Sequence, residues 1–303
     1  MATFINPFTD VGFKRIFGQE FSKPLLIDFL NSLFKGERTI VNLKFLDKEQ
    51  LGVCQDDRSL IYDVYCELET GEKIIVEMQN CEQPYFKRRS IYYISESIAR
   101  QGEKGPSWRY NIKAVYLIAF LNFKLPSIGQ TFRTDVLLMN KDTKQEFSNL
   151  LNLIYLQLPY FEKEADACEN NFERWIYVLK HMETIKRLPW VAQNSIFQRL
   201  AEISDLGSLS REERMKYDVA LRKYRDTLCV MDGAIMRGLE QGRAEGRAEG
   251  RAEGLAEGRA EGRAEGRTEE RLSIARNMKS QHIAISVIAS CTGLSEEEIE
   301  QLS

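Results

Sequence analysis

Histidine is nearly missing from this chain. His181 and His282 are the only two in 303 residues, which leaves little for a histidine-rich zinc site or a histidine-based nuclease, and each reads as a structural or surface residue. The six cysteines, at 54, 66, 81, 168, 229 and 291, lie far apart and contain no CxxC pair. Reduced, mostly buried thiols are the simplest account of them. No apolar run is long enough to span a membrane, and the N-terminus, MATFINPFTD, has no basic segment followed by an apolar core, so no membrane partner and a cytoplasmic location are expected. An excess of positive charge is lacking too. With a formal charge of −3, the whole-molecule field does not attract nucleic acid, and any such contact must come from a local patch. One window supplies a candidate: from Pro84 to Lys113, seven basic residues, among them Lys87, Arg88 and Arg89, stand against Glu96 and Glu103, a local +5. The plain alternative is a solvated basic helix face.

With 43% hydrophobic residues the chain can bury a sizeable core, and its length suggests about two domains. Thr9 or Asp10 can cap a helix whose apolar positions Phe13, Ile16 and Phe17 follow a 3.6-residue period, and a second helical run covers roughly Pro24 to Phe34. Strand patterns follow at about 43–47, 60–67, 73–79, 112–120, 131–139 and 147–158, with a helix inserted near 84–100. That order predicts an α/β fold, a mixed sheet with helices against it, over residues 1–165. Residues 166–241 read as a helical extension, in which Ser210 and Glu213 form a capping box. Leu221, Tyr224, Leu228, Met231, Ile235 and Leu239 then make a seam suited to a partner helix.

Residues 242–269 are seven Gly-Arg-Ala-Glu tetrads, five of them exact. A four-residue step overshoots a helical turn by about 40°, so Arg meets Arg and Glu meets Glu at i, i+4. Those like-charge pairs and seven glycines, each costing roughly 1 kcal/mol against alanine, make an isolated helix weak. Two copies can approach closely at the glycines, an Arg stripe facing a Glu stripe, in a right-handed supercoil. A low-complexity helix or spacer with no chemical role is the other reading; self-association makes residues 210–269 the expected route to a homodimer. The tail, 270–303, reads as a helix, a Thr-Gly turn and a short helix capped by Ser295. Its terminal EEEIEQ repels phosphate, which favours a packing or partner-binding tail over a DNA reader.

The segment IYDVYCELETGEKIIVEMQ, residues 61–79, alternates like a hairpin around Gly71. With Glu69-Thr70-Gly71 as the turn, Leu68 pairs with Glu72 and Asp63 falls opposite Glu77. Facing residues have Cβ atoms about 4.5–5.5 Å apart, a distance at which two ionised carboxylates repel unless a cation lies between them. Gln79 shares the face of Glu77, while Val76 and Met78 turn to an apolar layer. Oxygen ligands of this kind suit Mg2+ or Mn2+ with Asp63 and Glu77 as the ligands, and phosphodiester hydrolysis as the chemistry. Gln79 has an amide to orient water or phosphate but no proton to exchange. A solvent-exposed sheet face with two idle acids is the alternative.

Asp63 and Glu77-Met78-Gln79, with TDVGFKRIFG and LLIDFLNSLF before them and FKRRSIYY after, resemble the Rpn family of recombination-promoting nucleases, also described as transposases, of the PD-(D/E)XK nuclease superfamily. The resemblance covers about residues 1–235. It implies a restriction-endonuclease-like core and metal-dependent cleavage of DNA, with Asp63, Glu77 and Gln79 as the catalytic positions. Tyr62 stands where the superfamily signature has Pro, and Gln79 where it usually has Lys, which removes a positive charge beside the scissile phosphate. Lys14, Lys87, Arg88 and Arg89 are then candidate phosphate contacts, and Asp10, one helical turn from Lys14, a supporting residue. Two functions compete: a Mg2+-dependent DNA endonuclease serving recombination or a mobile element, and a nuclease-like fold retained as a catalytically idle binding or assembly module acting through its repeat and tail.

Overall fold

The computed structural model of the chain describes residues 2–50, 60–105, 108–191 and 193–302. Two compact units divide it, residues 1–231 and 232–303.

In the first unit, α1 (Asp10–Phe17) begins at Thr9, whose hydroxyl accepts the Gly12 N–H. After it come α2 (Lys23–Leu33), with Pro24 in its first turn, where the missing N–H costs nothing, and the strands β1 (Leu43–Phe45), β2 (Glu49–Gln50), β3 (Leu60–Ile61), β4 (Val64–Leu68) and β5 (Lys73–Gln79). Helix α3 (Phe86–Ala99) leads to β6 (Val115–Leu121), β7 (Arg133–Met139) and β8 (Glu146–Gln157). Helices α4 (Asn171–His181) and α5 (Ser195–Ser204) and the first turns of α6 (Arg211–Ser280) complete the unit. The expected strand over 60–67 is divided. Tyr62 donates its N–H to the Lys48 carbonyl at 3.0 Å, and β3 pairs with β2 in a two-stranded ribbon apart from the main sheet.

The main sheet has the order β1-β4-β5-β6-β8-β7. Pairing is antiparallel from β1 to β5, parallel across β5, β6 and β8, and antiparallel at β7. This is the expected mixed sheet with helices on it. The central strand β6, VYLIAFL, is buried at every position, as a parallel strand covered on both faces must be. Alternation sorts the sheet into two layers. Val64, Cys66, Ile74, Val76, Met78, Ile118 and Phe120 meet α1, α2, α4 and α5 around Phe13, Phe29, Trp175 and Phe197. Tyr65, Ile75, Leu117, Ala119 and Tyr155 meet α3 through Phe86 and Ile94.

In the second unit the last turns of α6 fold with α7 (Ile285–Thr292) and α8 (Glu296–Gln301) around Ala275, Ile288 and Ile299. The expected single helix before the Thr-Gly turn is therefore two, broken where His282 takes a φ of 62°. Gly293, at φ 71°, ends α7, and Ser295 and Glu298 form a capping box on α8. The tetrapeptide repeat, 242–269, lies wholly within α6. The cysteines are less buried than expected: of the five described, Cys66 and Cys168 are buried, whereas Cys229 and Cys291 are exposed on helices. Cys54 lies outside the described residues. Among those residues no helix is long and apolar enough to cross a membrane.

Gly12 is the tightest point of the N-terminal motif. A Cβ there would sit 2.1 Å from the Asn6 carbonyl oxygen and 2.7 Å from the Thr9 hydroxyl, so the backbone must shift to admit it. Gly12→Ala is expected to lower stability in urea unfolding by roughly 1–3 kcal/mol despite alanine's better helix propensity. Unchanged or raised stability would mean this turn is not held as described.

Candidate functional site

The hairpin register sets the site. Leu68 donates its N–H to the Glu72 carbonyl at 2.9 Å, and Gly71 turns the chain at φ 86°. The pairs Glu67↔Lys73, Cys66↔Ile74, Tyr65↔Ile75 and Val64↔Val76 follow, the register expected from the turn. One step further, Asp63 comes to Glu77 just beyond the end of β4. The side chains are tied to each other's backbone: Asp63 Oδ2 accepts the Met78 N–H at 2.8 Å, and Glu77 Oε1 accepts the Asp63 N–H at 3.3 Å. Gln79 donates from Nε2 to Glu77 Oε2 at 3.3 Å. All three acceptor and donor groups thus meet at the end of β5, on the sheet face covered by α3.

Burial makes this pair electrically costly. Glu77 is only 5% exposed. Its carboxyl is pushed up to about 8, first by burial and then by the Asp63 charge, against the pull of the Asp63 N–H, Arg89 and Lys14. Asp63, half-buried, is raised as well; burial is the main cause, opposed by the Met78 N–H and by Lys14 and Arg89. The strand alternation that puts Glu77 under α3 is also what removes it from water.

The basic candidates separate. Lys14 lies within electrostatic reach of both acids and forms an ion pair with Asp10 at 2.6 Å. Asp10 in turn raises Asp63. Arg89 also acts on both acids; it is half-buried, donates to Gln83 at 2.7 Å and lies over the rings of Phe86 and Tyr93. Lys87 and Arg88 are exposed, and neither is among the leading charges that act on the pair. Helical phase explains the division: Arg89 stands three residues after the buried Phe86, on the side facing the sheet, and the other two point away. Asn80 is a residue that the sequence pattern does not single out. Its amide donates to the Phe8 carbonyl at 2.7 Å and so joins the end of β5 to the turn before α1. The only hint in sequence is its place next to Gln79. Beside it runs an open groove of ≈ 670 Å³ lined by Phe8, Asp10, Asn80, Val219, Lys223 and Tyr224 among others, but not by the two acids.

The donor set fits a hard divalent cation. Among the described residues no three or more His, Cys, Asp or Glu side chains are grouped so as to hold a metal ion between them, so the two acids would hold one with water or substrate completing the shell. Two carboxylates with their charge uncompensated by direct ion pairs suit a cation that keeps several waters and shares a substrate phosphate.

A sequence model of the family described as PD-(D/E)XK nuclease family transposase matches residues 7–234, a span that holds Asp10, Lys14, the hairpin and α3. Searches of curated proteins and of solved structures gave no match.

The raised Glu77 carries a stability consequence. The folded state holds the Glu77 proton up to about pH 8, whereas the unfolded chain releases it near pH 4.5, so metal-free stability falls as pH rises through that window. In EDTA, Glu77→Gln is expected to stabilise the protein at pH 8–9 by on the order of 1–3 kcal/mol and to give little at pH 4–5. Thermal unfolding across this range checks it, and an equal effect at both ends would contradict the assigned burial of charge.

Proposed function

The chain belongs to the PD-(D/E)XK nuclease family transposases, and we propose that it is a divalent-metal-dependent DNA endonuclease that hydrolyses phosphodiester bonds. The observation that carries this reading is the meeting of Asp63 and Glu77 across one hairpin, Glu77 buried, Asp63 half-buried, and each held by the other's strand. Like charges so placed raise each other's cost, a cost that a structural role does not need and that a cation removes.

Asp63 and Glu77 are the residues that would hold Mg2+ or Mn2+. When bound, such an ion offsets the charge that builds on a phosphate under attack and lowers the pKa of the attacking water. The Met78 N–H fixes the orientation of the Asp63 carboxylate. Gln79, a neutral amide, orients phosphate or water and takes no proton at neutral pH. The positive charge that lysine would contribute at position 79 comes instead from Lys14 and Arg89, the two cations that act on both acids. Asp10 holds Lys14 by its ion pair. Lys87 and Arg88, on the exposed side of α3, meet more distant phosphates, and Lys223 in the neighbouring groove meets a flanking one. The proposed setting is the cytoplasm and the proposed use recombination or a mobile element, which DNA breaks serve.

Purified protein with plasmid DNA and Mg2+ or Mn2+ tests this reading. Asp63→Ala and Glu77→Ala are expected to lose at least about 100-fold in cleavage, the several kcal/mol that metal assistance supplies, with the circular dichroism spectrum unchanged. Arg89→Ala is expected to lose roughly 10- to 100-fold, as for a group that stabilises developing charge, and Lys87→Ala or Arg88→Ala less. Wild-type rates in Asp63→Ala would remove the assignment. No cleavage by any form would leave a binding module that keeps a nuclease fold.

A further inference from the structure

The repeat has a property that its tetrad spacing forces. Within residues 242–269 every Arg-to-Glu separation is two residues plus a multiple of four, so the two charge rows lie roughly 200° apart around the helix. No Arg and Glu of the repeat are ever three or four apart, the separations at which helical side chains pair. The structure agrees. The ion pairs that α6 makes involve Glu212, Glu213, Arg214, Lys216, Asp218 and Arg225, and among the described residues none lies in the repeat. Both rows are exposed over all seven tetrads. The helix therefore carries a row of cations and a row of anions, each repelling itself and neither neutralised by the other.

The helical wheel shows what can neutralise them. Taking glycine as the reference, the Arg row lies about 100° to one side and the Glu row about 60° to the other. Glycine thus sits between the two charge rows, and alanine lies on the far side. When two such helices meet glycine to glycine, orientation decides the electrostatics. A two-fold axis parallel to the helices places the Arg row of each copy against the Glu row of the other. A two-fold axis perpendicular to them sets Arg against Arg and Glu against Glu. Only the parallel pair is complementary.

A further feature marks the centre of the contact. The Arg row is interrupted once, by Leu255 in the fourth of the seven tetrads, and that leucine is 58% exposed. It puts an apolar side chain beside Gly254, at the middle of the repeat, where a closely approaching partner helix would cover it. The 40° drift per tetrad gives the crossing a right-handed sense.

We propose that the Gly-Arg-Ala-Glu repeat is a parallel, in-register homodimerisation helix, centred on Gly254 and Leu255, in which the Arg row of each copy neutralises the Glu row of its partner. Charge complementarity is the specificity of this contact and glycine permits the approach; the occupant is a second copy of this chain. The inference does not depend on the nuclease reading.

Sedimentation of the full chain, over a range of concentrations and NaCl, gives the first test. A dimer at low salt that dissociates as salt rises is expected, and a monomer throughout would overturn the proposal. Orientation is read by spin labels on the alanine row, which faces away from the contact. The background carries serine for Cys54, Cys81, Cys229 and Cys291, leaving only the buried Cys66 and Cys168 as native thiols. In a parallel pair, Ala244→Cys and Ala264→Cys each give a short distance to themselves, whereas an antiparallel pair separates like labels by about 30 Å along the axis and brings 244 to 264 when the two proteins are mixed. The second pattern, or a dimer that survives Leu255→Glu combined with replacement of the repeat's arginines by glutamate, would refute the parallel charge-paired helix.

Discussion

Two carboxylates forced together across a hairpin are the constraint around which the first unit is arranged. The turn at Gly71 sets the register, and each side chain is tied to the opposite segment's backbone. Slipping one strand by one residue would turn either Val64 and Cys66 of β4 or Val76 and Met78 of β5 out of the apolar layer, so the hydrophobic core itself enforces the encounter of Asp63 with Glu77. The sheet spends stability on a pair of acids that water would otherwise keep apart, and it holds them at the end of a strand beside the fully buried β6.

The same logic extends to the N-terminal segment. Asn6, buried, donates its N–H to the Tyr217 hydroxyl and accepts the Phe8 N–H on its side chain. Arg15 reaches the Ile203 carbonyl at 2.8 Å and Glu213 at 2.6 Å. Glu213 is held down at about 2, first by the Ser210 N–H and then by Arg15. These bonds anchor α1 between α5 and the first turns of α6, and the anchoring is what delivers Lys14 to the acids. Helices on either layer thus bring positive charge to bear on both acids, α1 through Lys14 and α3 through Arg89.

Much of this was legible in the residues. Alternation and a glycine with the right loop length gave the hairpin register, since both act locally. The caps at Thr9, Ser210 and Ser295 were readable for the same reason, and the strand and helix order of residues 1–165 led to the mixed sheet. Other features depend on partners far away in sequence. The break at Tyr62 comes from a bond to Lys48, and the distinction of Arg89 from Lys87 and Arg88 needs the phase of α3 against the sheet. Asn80 matters only because Phe8 folds over to it. The exposed Cys229 and Cys291 show the limit of residue type as a guide to burial, since both stand on the outward sides of their helices. The repeat, weak as an isolated helix by propensity, is helical along its whole length in the fold.

Joint binding of a divalent cation by positions 63 and 77 is tested most directly by a Mn2+ titration followed by the paramagnetic resonance signal of the free ion. The wild-type chain is expected to remove one Mn2+ per molecule, and a chain carrying both Asp63→Asn and Glu77→Gln, folded as judged by its thermal transition, to remove none. Mn2+ uptake that persists undiminished in the double variant, or its absence from the wild type, would contradict the claim.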